Sequence, residues 1–128
     1  MRIDLPSITK NDKADINFAI KHDVDYIALS FVRKIEDIHS LRKILKRKKS
    51  QIKVVSKIED NEGLSNIHAI TQESDAVMVA RGDLGIETSL ADLPNVQRRI
   101  MYACSKWGRR SIVATHLLES MIEKPTPT

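Results

Sequence analysis

Lys57 and Glu59 close the run IKVVSKIE, Arg81, Gly82 and Asp83 close DAVMVARGD, and Thr115 closes SIVAT, so charged or hydroxyl side chains follow three successive apolar stretches. Lys57 and Glu59 are two positions apart, so in an extended strand both project to one face while Ser56 and Ile58 project to the other. An ammonium and a carboxylate at a partly buried strand end must pair, hold a metal or meet a charged ligand, because burying either alone is costly. A simple ion pair is the plainest outcome. Asp83 supplies a second carboxylate from the neighbouring run. Two carboxylates completed by water and ligand oxygens suit Mg²⁺ or Mn²⁺, whereas zinc favours His or Cys. Gly82 allows close approach of the backbone, whose N–H groups can bind an anion, although a turn requiring glycine accounts for the same residue. Neither G-x-G-x-x-G nor G-x-x-x-x-G-K-[ST] occurs, which excludes the dinucleotide fingerprint and the P-loop.

Chemistry at the ends of successive strands is how a (β/α) barrel assembles a site, because its strand-to-helix loops open on one face. The elements needed to position these residues are legible in order. Thr9 with Asp12 reads as a capping box opening a helix at about 10 to 22, with Ile16, Ala19 and Ile20 as its apolar stripe. YIALSFV is almost continuously apolar, as a strand covered on both faces requires. Ile35, Ile38, Leu41 and Leu45 recur at helical spacing up to the cations Lys46 to Lys49, which complement the helix dipole. There follow strand IKVVSKI, a short helix around Glu62 to Ile70, strand DAVMVAR, a helix from Pro94 to Lys106, strand SIVAT and a helix beginning at Leu117. Pro94 suits a first turn and Gly108 a C-terminal stop, while the final PTPT marks a loop. Four strands separated by helices predict parallel pairing with right-handed crossovers, an α/β arrangement in one domain over residues 1–128. A complete barrel needs about 250 residues. The expectation is four β/α units, about half of a TIM (β/α)8 barrel.

The chain has 128 residues, 41% of them hydrophobic, enough for a core, and 21 Lys and Arg against 17 Asp and Glu give a net charge of +4. That surplus suits anionic substrates. The basic run KILKRKKSQIK lacks interleaved aromatics for stacking on bases, so it reads as a solvated helix end and not a nucleic-acid surface. Cys104 stands alone among Ile100, Met101 and Ala103 as a buried small residue, and without a disulfide partner it points to a reducing, cytoplasmic setting. No apolar run reaches the roughly 20 residues a membrane span requires, and MRIDLPSITK lacks a signal-peptide core. His22, His39 and His68 show no ligand spacing and read as surface or helix-end residues.

The segments KIEDNEG, MVARGDLGIE and ATHLLESMIEKPTPT resemble, in order and at similar separation, the central barrel of the pyruvate kinase family, and the likeness runs over nearly the whole chain. The resemblance implies a glycolytic phosphotransferase moving a phosphoryl group from phosphoenolpyruvate to ADP, giving pyruvate and ATP. It implies Glu59 and Asp83 as ligands of Mg²⁺ or Mn²⁺, and Lys57 as the cation neutralising the moving phosphoryl group. Backbone groups around Ala80, Gly82 and Asp83 and the Thr115 hydroxyl would hold the substrate carboxylate, with Lys57 and Thr115 the catalytic pair. Ser30 and Phe31 match the preceding strand end and line the same mouth, with Arg81 and His116 as further lining. Two positions depart from the family pattern: Asp60 replaces a usual Asn, and His116 a common Gln, where neutral packing outweighs a proton-transfer role. The family's lid domain, remaining barrel strands, K⁺ site, phosphate-contacting arginine and C-terminal domain have no counterpart in these residues. The chain alone is therefore expected to be inactive and to self-associate or to pair with the missing barrel half. The alternative is a non-catalytic half-barrel that binds a partner chain or a metal-linked metabolite. Another barrel enzyme, such as a metal-dependent aldolase or lyase, would not be expected to share ATHLLESMIEKPTPT.

Overall fold

Thr9 opens the first helix as its spacing to Asp12 predicts. The Asp12 N–H donates to Thr9 Oγ1 at 3.2 Å and the Thr9 N–H to Asp12 Oδ2 at 2.6 Å. The Thr9 N–H, and beside it the Thr9 hydroxyl at 2.8 Å, donate to Asp12 Oδ2 and hold its carboxyl below its ordinary pKa. The computed structural model describes residues 8–89, 91–115 and 119–125. In chain order they form α1 (Lys10–Lys21), β1 (Tyr26–Leu29), α2 (Ile35–Arg47), β2 (Lys53–Ile58), α3 (Asn61–Ser65), α4 (Ile67–Glu73), β3 (Ala76–Ala80), α5 (Arg81–Glu87), α6 (Leu93–Lys106) and β4 (Arg110–Ala114). A short 3-10 turn covers Glu119–Ile122.

The four strands lie in the order β1-β2-β3-β4, and every pair is parallel. This is the α/β partial barrel that the alternation of strands and helices predicts. Leu29 lies opposite Ser56, Ile58 opposite Val79 and Ala80 opposite Ala114, so the C-terminal strand ends lie close to one rim. One face of the sheet carries Val54, Ile58, Val77 and Val79 into a core shared with Ile38, Leu41, Ile67, Ile70, Ile100 and Cys104. Ser56 points into the same layer, fully buried, and donates to Ser74 Oγ at 2.6 Å, because the Ser74 hydroxyl hydrogen is committed to the Ile70 carbonyl. Satisfying both hydroxyls is what makes them tolerable there. On the opposite face Tyr26, Lys53, Arg110 and Ile112 stay exposed.

Arg42, from the basic run, is locked in place. Its guanidinium donates to the Glu73 carbonyl at 2.8 and 3.1 Å and to Asp75 Oδ2 at 3.0 Å, tying α2 to the start of β3. Lys46 to Lys49 remain exposed, as a solvated helix end should. After α6, Gly108 takes φ +61°, and the Arg109 N–H reaches back to the Cys104 carbonyl at 2.8 Å, closing the helix as its glycine predicts.

Three expectations are corrected. YIALSFV is strand only over Tyr26–Leu29, because Phe31 turns to φ +50°. Arg81 leaves β3 to begin α5, a helix that the residue pattern does not predict, and Gly82 sits in its first turn instead of in a glycine-requiring bend. The helix expected over Glu62 to Ile70 is two helices divided at Asn66, whose side-chain amide donates to the Arg33 carbonyl at 2.8 Å. The helix start at Leu117 lies outside the described residues.

Cys104 is 1% exposed, and burial pushes its thiol pKa up. A thiol pKa raised in the folded state contributes stability that is complete below the unfolded value of about 8.5 and is lost as pH rises through the folded value. Urea unfolding of the reduced chain should therefore show stability declining above about pH 8.5, with Cys104→Ala removing that component of the decline.

Candidate active-site mouth

At the end of β2, Glu59 is a carboxylate only 3% exposed, and each of its oxygens has a partner. Oε1 pairs with Lys57 Nζ at 2.9 Å, and Oε2 accepts the Phe31 N–H at 2.6 Å. Lys57 also donates to Ser30 Oγ at 3.0 Å, and its side chain keeps 26% exposure toward the mouth. The i, i+2 spacing thus yields the ion pair that it predicts. The chain end of β1 completes it: the Val32 N–H donates to the Lys57 carbonyl at 3.3 Å, laying residues 30–32 across the end of β2.

Phe31 adopts the left-handed region, at φ +50°, which costs a non-glycine residue roughly 1–2 kcal/mol. A hydrogen bond to a charged acceptor contributes about 1.5–3 kcal/mol, enough to offset the strain. The turn is therefore held open by the buried carboxylate it serves.

Across the sheet, the Gly82 N–H donates to Thr115 Oγ1 at 3.2 Å, and that hydroxyl donates to the Ala114 carbonyl at 2.7 Å. Thr115 sits at φ +61°, a second strained non-glycine residue at a strand end. Ala80 is buried opposite Ala114, and Asp83 projects to solvent from the first turn of α5. Arg81 is half-buried, and its Nε finds no hydrogen-bond partner among the described residues. His116 lies outside the described residues. The predicted residues thus form two contact groups, Ser30–Phe31–Lys57–Glu59 and Gly82–Thr115. Register places Glu59 beside Ala80, one step past the Ile58–Val79 pair, at the junction between them.

Among the described residues no group of three or more His, Cys, Asp or Glu gathers to hold a metal. Glu59 and Asp83 are nevertheless hard oxygen donors on adjacent β/α units, a donor set that fits Mg²⁺ or Mn²⁺ with water and ligand oxygens completing the shell. In this structure Lys57 Nζ occupies Glu59 Oε1.

One contact near the mouth has no local sequence signal. Arg33 Nε donates to Asp60 Oδ2 at 2.6 Å across 27 positions, and this bond raises the already high pKa of the guanidinium. Asp60 Oδ1 caps α3 through the Gly63 N–H at 2.9 Å. The acidic residue in place of the family's Asn is the only hint the sequence contains.

Parallel β/α units with Lys57, Glu59, Gly82, Asp83 and Thr115 at or just past the C-terminal ends of their strands define part of a β/α-barrel domain. The chain belongs to the pyruvate kinase family, whose barrel-domain model matches residues 1–128. It is 49% identical over 127 residues to a pyruvate kinase of Methanocaldococcus jannaschii, covering 99% of this chain and 28% of that protein. It is 44% identical over 126 residues to the pyruvate kinase of Hypocrea jecorina, covering 98% of this chain and 23% of that one. A Staphylococcus aureus pyruvate kinase is 45% identical over all 128 residues and is covered to 22%. The chain therefore spans between about a fifth and three tenths of the length of these relatives.

A Cβ added at Gly63 would lie 2.5 Å from the Val32 carbonyl, a backbone atom of the loop that delivers Phe31. Gly63→Ala should destabilise the chain by about 1–3 kcal/mol in urea unfolding. Wild-type stability in that variant would contradict the packing described for α3 against the loop.

Proposed function

We propose that the chain carries the metal and phosphoenolpyruvate part of a pyruvate kinase site, the reaction being phosphoryl transfer from phosphoenolpyruvate to ADP. The observation that carries this reading is the Lys57–Glu59 pair at the end of β2 in a chain whose whole length matches the family's barrel domain. Lys57 needs to move only from Glu59 Oε1 to neutralise a phosphoryl oxygen at the mouth. Gly82 and Thr115, already bonded to each other, would turn their N–H and hydroxyl groups to the substrate carboxylate, with the backbone of Ala80 and Asp83 beside them. Glu59 and Asp83 would hold the divalent ion, which supplies charge neutralisation for the transferring group. Ser30, Phe31 and Arg81 would line the mouth, with His116 next in sequence to Thr115.

We further propose a cytoplasmic setting, supported by the free, buried Cys104. No helix among the described residues is long and apolar enough to cross a membrane. Among the described residues the sheet face bearing Tyr26, Lys53, Arg110 and Ile112 is exposed and the outer edges of β1 and β4 have no strand partner, which favours association with a complementary barrel segment or a second copy. A K⁺ requirement would belong to residues outside these 128.

Mn²⁺ titration read by water-proton relaxation tests the site. Binding is expected to be weak, to be lost in Glu59→Gln and in Asp83→Asn, and to be unchanged or slightly stronger in Lys57→Met, which removes a nearby positive charge. Unchanged binding in both carboxylate variants would overturn the assignment and favour the partner-binding half-barrel. In a coupled assay, a polypeptide of these 128 residues alone is expected to give no turnover of phosphoenolpyruvate and ADP; turnover comparable to an intact kinase would contradict this part of the proposal.

A further inference from the structure

The loop from Ser30 to Lys34 is bonded to its surroundings at nearly every residue. The Phe31 N–H reaches Glu59, the Val32 N–H reaches the Lys57 carbonyl, and the N–H groups of Arg33 and Lys34 share Asp37 Oδ2 at 3.0 and 3.2 Å. The Arg33 carbonyl accepts from Asn66, and Arg33 Nε donates to Asp60. Two of these bonds run in parallel between the same pair of backbone segments: Phe31 to Glu59, and Arg33 to Asp60. The second is charged on both sides and as short as the first, 2.6 Å each. Asp60 is itself immobile, 6% exposed and fixed at its other oxygen by the cap on α3. Phe31 is held in a strained conformation, so its place depends on the bonds that hold the loop around it.

We propose that Arg33 is a positioning residue for Glu59. Its bond to Asp60 pins the β1–α2 loop and so keeps the Phe31 amide on one Glu59 oxygen, orienting the carboxylate. This inference rests on the reading of Glu59 as a metal ligand for its functional meaning, and on the hydrogen-bond geometry alone for its structural content. The Arg33 side of the pair is 43% exposed and the Asp60 side 8%, so its loss should also cost some stability; orientation is reported separately, by the Phe31 amide resonance and by Mn²⁺ binding. An Asn at position 60 would keep the cap on Gly63 while removing the ionic partner of Arg33.

The test uses the full chain in wild-type form and as Arg33→Met, Arg33→Lys, Asp60→Asn and Glu59→Gln, with circular dichroism confirming the fold of each. The Phe31 amide proton, strongly downfield in the wild type because of its short bond to a carboxylate, should move upfield in Arg33→Met and Asp60→Asn. It should stay near its wild-type position in Arg33→Lys, because the contact is a single N–H bond and not a two-pronged one. Mn²⁺ alone is the metal probe. Removing a positive charge should by electrostatics strengthen Mn²⁺ binding, yet the expected result for Arg33→Met is a dissociation constant raised about tenfold, the size of effect seen when a ligand's supporting partner is lost. An unmoved Phe31 resonance in both loosening variants overturns the positioning role, as does unchanged or tighter Mn²⁺ binding in Arg33→Met when Glu59→Gln abolishes it. Retention of Mn²⁺ binding by Glu59→Gln refutes the metal reading separately, and the Phe31 resonance then decides the tether alone.

Discussion

The buried carboxylate of Glu59 is the constraint around which the mouth of this sheet is built. An ionised group 3% exposed must have its lone pairs occupied, and neither β2 nor its helices can do this alone. Lys57 satisfies one oxygen from within the same strand, which requires the extended conformation that places residues two apart on one face. The other oxygen is satisfied by a backbone amide from β1, which requires Phe31 to turn the wrong way for its type. From these two demands follow the early end of β1, the course of the β1–α2 loop over β2, and the packing of Gly63 beneath it.

The sheet itself is asymmetric in a way that serves the same site. Its helix-covered face is apolar and closed, with Ser56 and Ser74 satisfied inside it. On the other face, register aligns Lys57 with Met78 and Ile112. Met78 and Ile112 offer the ammonium no acceptor on the β3 side, and its partners are Ser30 on the β1 side and Glu59. The cations Lys53, Lys57 and Arg110 all stand on this face, while Arg42 of α2 is paired with Asp75, the residue before β3.

Much of this was legible in the residues because periodicity changes cleanly between elements. The apolar spacing of Ile38, Leu41 and Leu45 marks α2, and Pro94 and Gly108 bracket α6. Lys57 and Glu59 are legible as a pair because their contact is local. The misses share one cause, which is that long-range contacts override local preference. YIALSFV is apolar throughout, and nothing in it tells of a carboxylate 28 positions on that captures the Phe31 amide. Two glycines and a preceding strand hide α5, and Asn66 breaks a continuous helical pattern by bonding a loop 33 positions earlier. Arg33 and Asp60 are unremarkable singly, and only the fold brings them to 2.6 Å.

In the function proposed for this chain, Glu59, held by Lys57 and the Phe31 amide, is a carboxylate prepared for a hard cation together with Asp83. A crystal of the chain soaked in Mn²⁺, with anomalous scattering used to locate the metal, tests it most directly. The account predicts a peak in direct coordination with Glu59 and Asp83, Lys57 Nζ displaced from Oε1, and the Phe31 amide still on Oε2. A fully occupied Mn²⁺ elsewhere on the surface, with the Lys57–Glu59 pair intact and Asp83 in solvent, would contradict it.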